Sequence, residues 1–328
     1  MVPHTKRQSR KSIRPVASRL AVLLMVAAFA LPAAAQARPR SEWITLGTGG
    51  GPVPSPTQAQ PANLLHYADQ FILVDAGDGT LEQLVKANIP LGAVRTVFIS
   101  HMHFDHTSGL FAVLGNRYQV GAPRITVYGP LGTKKLVDGL VAAMQPFVDI
   151  GPQNAAGPAD RLPPKDYVTV VEIPDGGSVQ VGAIKVTAVR NTHYSTPKES
   201  PEYRYPSFAY RFDLPDRSIA YTGDTGPSPA VEKLAAGADL LVSEIGDSDF
   251  VLGELKAKGI NLNAAIIHHF TAEHLSPTNV GLLAGHAGVK HLVLTHQGLR
   301  PGSEEETKAK VAANFTGTVV IAKDLDRF

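Results

Sequence analysis

The chain has no cysteine among its 328 residues, a single tryptophan, and no apolar run as long as a membrane span. The missing cysteine excludes disulfides, thiolate nucleophiles and cysteine-ligated zinc, so any metal must be held by His, Asp or Glu. The longest apolar stretch, Leu20–Leu31, has 12 residues, whereas a transmembrane helix needs about 20. Acidic residues are absent from positions 1–37, where Lys6, Arg7, Arg10, Lys11, Arg14 and Arg19 stand alone. The whole chain carries 31 Lys+Arg against 29 Asp+Glu; without those six bases, 25 face 29, and the remainder is acidic. That balance argues against a nucleic-acid-binding domain, which is usually basic.

The basic start, the apolar run and the small residues Ala33, Ala34, Ala35, Gln36 and Ala37 form the three regions of a secretory signal peptide. Cleavage is expected after Ala37, leaving one 291-residue domain, 38–328, that is periplasmic or secreted and has no membrane anchor. No adjacent Arg-Arg pair favours the twin-arginine route.

Along the rest of the chain, short β-type runs alternate with helix-type runs. Strands are expected at Trp43–Leu46, Leu64–Tyr67, Phe71–Val74, Val94–Ser100 and Ile125–Tyr128. Helices are expected at Leu81–Ala87 and from Leu131 to about Met144. The stretch 145–166 is rich in Pro and Gly and reads as a loop. Val168–Ile173, Val179–Val181 and Ile184–Val189 look like successive antiparallel strands. Phe208–Phe212 and Ser218–Thr222 flank the turn signal Pro215-Asp216. A helix to Ala236, a strand Leu240–Glu244, a helix Thr278–Ala287, a strand Leu292–Thr295 and a final helix and strand complete the pattern. Two packed sheets with helices outside would accommodate it.

The chemistry concentrates in Ser100-His101-Met102-His103-Phe104-Asp105-His106. Four side chains able to bind metal fall within six positions, directly after a strand of buried type. With 12 histidines in 328 residues, such a cluster is not a chance composition. An extended strand end points alternate residues, His101 and His103, one way, and Asp105 and His106 can then turn toward a second ion. Three more candidates follow β-runs: His193, Asp224 between Gly223 and Thr225, and His296. Neutral imidazole with carboxylate suits zinc, iron or manganese.

Histidine spacing of this kind, followed by a separated His, Asp and His, resembles the metallo-β-lactamase superfamily, and within it the ribonuclease Z-like branch. Leu46-Gly47-Thr48-Gly49-Gly50-Gly51, Asp75-Ala76-Gly77-Asp78-Gly79-Thr80, Tyr221-Thr222-Gly223-Asp224-Thr225-Gly226-Pro227 and Leu294-Thr295-His296 are similar to that branch's segments. The resemblance implies an α/β fold, the αβ/βα four-layer sandwich, with two divalent metal ions on one rim. Zinc is the first expectation, with manganese or iron as alternatives. It places His101, His103 and His193 on one ion and Asp105, His106 and His296 on the other, with Asp224 shared. Asp105 and His274 are the implied catalytic residues. The branch's non-ligand histidine stands 22 positions before the last ligand, a spacing that selects His274 over His268 and His269. Asp75 is expected to orient a ligand histidine through its free ring nitrogen, and Glu244 to do the same for His274.

Two metal ions about 3.5–4 Å apart acidify water and stabilise charge on an attacked centre, so the implied reaction is hydrolysis. Several substrate-side positions depart from the branch: Gln58 to Pro61 replace its Arg-Asn, Leu275-Ser276 its Ser-Thr, and Gln297-Gly298 its Phe-Ser. Those departures, the export signal and the acidic mature chain point away from a tRNA 3′-processing endoribonuclease. They favour an exported phosphodiesterase or arylsulfatase acting on a small-molecule ester. The rival is a lactonase or β-lactamase acting on a cyclic acyl bond. Nucleic acid is not an expected partner; a homodimer is compatible with the reading.

Overall fold

Apolar and β-branched runs form fourteen strands among the described residues, which in this computed structural model are 1, 39–151, 162–194 and 197–328. The signal-peptide reading and its cleavage point fall on residues 2–38 and lie outside them. In chain order the strands are β1 (Glu42–Gly47), β2 (Ala62–Tyr67), β3 (Gln70–Ala76), β4 (Val94–Phe98), β5 (Ile125–Gly129), β6 (Val168–Glu172) and β7 (Ser178–Val181). They continue as β8 (Ile184–Arg190), β9 (Phe208–Asp213), β10 (Ser218–Tyr221), β11 (Leu240–Gly246), β12 (His291–Gly298), β13 (Thr318–Ile321) and β14 (Asp326–Arg327).

Two seven-stranded sheets result, ordered β14-β1-β2-β3-β4-β5-β6 and β13-β12-β11-β10-β9-β8-β7. In the first, β1, β2 and β3 run antiparallel and β3 to β6 parallel. The second repeats the plan: β7 to β10 are antiparallel and β10 to β13 parallel. Antiparallel neighbours need only tight turns, whereas parallel neighbours need crossovers, and the helices supply several of these.

Strand alternation sorts the apolar side chains into layers. Leu64, Leu73 and Val97 face one way and pack with the helical residues Leu110, Val113 and Leu114. Leu65, Ile72, Val74 and Phe98 face the other way and meet Val186, Phe208, Tyr210, Phe212 and Val242 between the sheets. On the far side of the second sheet, Leu241, Leu292 and Leu294 pack under Val280 and Leu283 of the helix Pro277–Ala287. The four layers are therefore helices, sheet, sheet, helices, with strands buried on both faces as parallel segments require.

Three details differ from the sequence reading. β6 is not antiparallel to β7; it pairs parallel with β5 in the first sheet, and only β7 and β8 form the expected hairpin. Alternation identifies a strand but not its partner, which is set by contacts remote in sequence. The expected loop 145–166 holds short helices at Gln145–Asp149 and Pro164–Tyr167, while residues 152–161 lie outside the described set. Helices Leu110–Gln119, Ser248–Ala257 and Ala264–Ala272 stand where no element was expected. Among the described residues, no helix is long and apolar enough to cross a membrane.

Candidate metal centre

The carboxyl-terminal ends of β3, β4, β8, β10, β11 and β12 share one rim, and each carries or leads into a residue singled out above. After β4 the chain stays extended through His101 and His103, whose φ of −65° and ψ of 148° cap the four-residue helix Phe104–Thr107. The helical turn then swings Asp105 and His106 off the line of the first two histidines. One local change of backbone therefore divides the cluster in two. His101, His103 and His193 form one group and Asp105, His106, Asp224 and His296 another; His274 adjoins both, meeting His193 and His269 on one side and Glu244 and His296 on the other. Within each group the potential ligand atoms lie within 4.8 Å of one another.

Asp224 stands between the groups. Its Oδ2 is 3.2 Å from His106 Nε2 and 3.1 Å from His296 Nε2, and 3.8 Å from Nε2 of both His101 and His193. Gly223 makes that placement possible. Its φ is +56°, and a Cβ there would stand 2.6 Å from the carbonyl oxygen of Phe208. His296 owes its position to a bulge: Thr295 pairs with Glu244 and Gln297 with Ile245, so His296 is the extra residue, at a φ of 45°. A bulge turns its side chain out of the ladder, and left-handed backbone at a non-glycine residue is the kind of strain found at functional sites.

Asp75, at a φ of 60°, collects donors. The Ser100 N–H (2.7 Å), Ser100 Oγ (2.8 Å), Tyr221 OH (2.8 Å) and His106 Nδ1 (2.8 Å) all reach its carboxylate. His106 is therefore protonated on Nδ1 in any state and presents Nε2 to Asp224, as a donor when the ring is charged and as a lone pair when it is neutral. His193 Nδ1 likewise donates to the Glu273 carbonyl oxygen at 3.1 Å and turns its Nε2 toward His103 Nδ1 at 3.0 Å. His101 Nε2 and Asp224 Oδ1 are buried with no hydrogen-bond partner. Buried unpartnered acceptors among converging imidazoles and carboxylates fit bound cations. This observation tests the implied metals against the donor set, and the residues suit them.

The electrostatics agree. Burial lowers His101 and His193 well below the ordinary histidine value, and lowers His103 against the opposing pull of Asp224. Burial also opposes a charge on His106 and His296, but Asp224 and then Asp105 outweigh it. His106 is raised well above its usual value and His296 to about 10. Burial would raise Asp224 and Asp105, yet His106 and His296 hold both well below the carboxylate range. Without metals, protons on two histidines balance the buried carboxylates.

Beside the cluster, Glu244 Oε2 lies 2.5 Å from His274 Nδ1, and Glu244 Oε1 accepts the Thr225 N–H. Burial would lower His274, but Glu244 raises it. His274 Nε2 is directed away from Glu244 and lies 3.4 Å from His269 Nε2; His269 Nδ1 is 2.5 Å from Glu273 Oε2. The His269–Glu273 pair was not among the expected site residues. Its only sequence signal is the four-residue spacing that puts both on one face of a helix. His268 points outward, its side chain 58% exposed.

A cavity of about 340 Å³ opens on His103, Asp105, Asp224 and His296. A larger one, about 970 Å³, lies between the helix Thr133–Ala143 and residues 162–170, and no group of metal-type side chains meets there among the described residues.

Two helix-flanked mixed sheets with a His/Asp cluster on one rim define a hydrolase of the metallo-β-lactamase kind. Residues 70–297 match the Beta-lactamase superfamily domain, and the chain belongs to that family. Ribonuclease Z of Mycobacterium avium (strain 104) is 29% identical over 290 residues, covering 87% of this chain and 96% of that protein. The metallo-β-lactamase fold protein YhfI from Bacillus subtilis superposes with a TM-score of 0.66 at 20% identity, over 88% of this chain and 99% of that one. Human tRNase Z, short form, gives 0.59 at 24% identity, over 88% and 98%. At these identities the two structures are likenesses of fold.

Proposed function

We propose that the chain is an exported hydrolase that uses two divalent metal ions, zinc with manganese or iron as alternatives, to cleave small-molecule phosphodiesters or sulfate esters. His101, His103 and His193 would hold one ion, and Asp105, His106 and His296 the other, with Asp224 between them. Bound there, such ions supply Lewis acidity and water acidified toward neutrality.

The remaining work falls to the chain. Asp75 keeps the His106 proton on Nδ1 and so aims Nε2 inward. Glu244 does the same for His274 and holds it protonated, leaving Nε2 to face the pocket. As water adds to the phosphorus or sulfur centre and the bond to the alcohol oxygen breaks, His274 Nε2–H gives its proton to that oxygen. The proton from the added water restores the imidazolium. The products are the oxyacid and the alcohol.

The observation that carries this reading is a carboxylate-fixed, non-ligand histidine beside a two-group His/Asp cluster that shares one aspartate. A proton donor is needed where an alkoxide or phenoxide leaves. The curated relatives are named as ribonucleases, and so as phosphodiester-cleaving enzymes, which supports an oxyacid ester over a cyclic acyl bond. The test is a panel on metal-loaded protein: bis-p-nitrophenyl phosphate, p-nitrophenyl sulfate, a homoserine lactone and nitrocefin. Turnover of either of the first two, lost in Asp224→Ala, is the expected result. Turnover of the lactone or nitrocefin alone would replace the reading with a lactonase or β-lactamase.

A further inference from the structure

We infer that the cavity above the metal cluster selects esters by a single apolar alcohol portion, an aryl or branched alkyl group, and turns away polyanionic substrates. This rests on the hydrolase reading and adds the substrate class to it.

The first observation is a helix with no place in the core. Ala264–Ala272 has the sequence AAIIHHFTA, and none of its residues is fully buried. An apolar helix ordinarily turns its stripe into a core. Here Ile266 and Phe270, four apart on one face, line the cavity over the cluster instead, with Leu255 and Ile260 of the preceding helix and turn beside them. Opposite stands Phe104, 85% exposed although it sits between His103 and Asp105. The cavity therefore has a floor of metal-type side chains and walls of hydrocarbon.

The second observation is charge. Among the described residues, no Lys or Arg lines the cavity. The canopy segment 247–276 carries four acids, Asp247, Asp249, Glu254 and Glu273, against Lys256 and Lys258. A nucleic-acid strand is held largely by cations on its phosphates, and this surface offers the opposite sign. At about 340 Å³ the cavity stands at the small end of ligand pockets, large enough for one ring but not for a run of nucleotides.

The third observation places the group. The Phe270 and His274 rings stack, with centroids 5.6 Å apart and planes 11° from parallel. An alcohol oxygen that receives the His274 proton has Phe270 beside it, and Ile266 one turn away, to take its carbon substituent. Recognition of the leaving group and its protonation therefore occur on adjoining surfaces.

The experiment separates binding from turnover. Calorimetry would measure 1-naphthol, an alcohol product that cannot be hydrolysed, against metal-loaded and metal-stripped protein. The proteins are wild type, Ile266→Lys and Phe270→Ala. The expected result is binding to both forms of the wild type, weakened at least tenfold in each variant with metal content unchanged. In parallel, the preference for an aryl over a methyl ester of the same oxyacid should fall at least tenfold in Ile266→Lys, through KM. Naphthol that fails to bind, or binds the variants as tightly as wild type, overturns the inference, as does an RNA oligonucleotide cleaved as fast as the aryl ester. If naphthol binds as expected but no ester is turned over, the apolar pocket stands and the hydrolase reading falls. If esters turn over without regard to their substituent, the reverse holds.

Discussion

Glu244 touches the site twice: Oε2 lies 2.5 Å from His274 Nδ1, and Oε1 takes the N–H of Thr225, the residue after Asp224. His274 and the backbone next to Asp224 are thus fixed by one carboxylate. His274→Ala is expected to keep both metals and lose about 10²–10⁴ in kcat, the usual contribution of a positioned acid. The loss should be larger for an alkyl than for a p-nitrophenyl leaving group. Glu244→Gln removes the charge that raises His274, so it should move the basic limb of the pH–rate profile to lower pH as well as lower kcat. A His274→Ala enzyme that turns over an alkyl ester normally would remove that residue from the chemistry.

Asp75 holds no place in either ligand group but fixes His106 and receives three other donors. Asp75→Ala is expected to weaken metal binding by about 10–100-fold, as loss of a ligand's hydrogen-bonding partner typically does. His103→Ala should lower the metal content directly. Elemental analysis of the purified variants against a wild type holding two metals per chain checks both.

Gly51 passes so close to Asp105 that a Cβ would fall 2.0 Å from Oδ2. Gly51→Ala should displace that carboxylate and reduce occupancy of the Asp105, His106, His296 group while leaving secondary structure intact. Circular dichroism alongside metal analysis separates this outcome from simple unfolding.

The metal-free protein should have an alkaline weakness. His296 is raised to about 10, so the stability its charge contributes is complete below the unfolded value of about 6.5 and is lost as pH rises through 10. His106 acts in the same direction. His101 and His193, lowered by burial, act on the other side: they must be neutral in the fold, so stability falls as pH drops below about 6.5. The melting temperature of metal-free protein should therefore peak near neutrality and decline toward pH 10, whereas the loaded protein should keep its stability there. Metal uptake at pH 7 should release about two protons, those of His106 and His296. A flat alkaline limb for metal-free protein would contradict the assignment.

The basic and apolar start motivates a location test. Protein from the native host should begin at Arg38 by mass spectrometry and appear in an extracytoplasmic fraction; an intact Met1 in the cytoplasm would refute export.

Most of the strands were legible because each is a short apolar or β-branched run, as in Phe71–Val74 and Leu292–Thr295. Histidine spacing likewise made His101, His103, Asp105 and His106 visible, being a local property of one strand end. Partnership was not legible: the parallel pairing of β6 with β5 depends on residues some 40 positions apart, Ile125 with Val168. Nor was the bulge at His296, because register is fixed by the neighbouring strand. The helices Ser248–Ala257 and Ala264–Ala272 escaped notice because they face the site and not the core, so the usual buried stripe is missing. Ile266 and Phe270 accordingly read as ordinary apolar residues with no element to hold them.

The two sheets repeat one plan, an antiparallel half followed by a parallel half, and the cluster lies on the seam between them. His101, His103, Asp105 and His106 come from the first sheet's side, and His193, Asp224 and His296 from the second's. Neither side holds a complete set for either group. Metal capture by these residues would consequently report on assembly. Nascent chain that has folded only through β6 has no site to fill, and an ion that binds tightly does so only once residues as distant as His101 and His296 have met. In a cell, the metal supply would then be read by finished enzyme and ignored by unfinished chain.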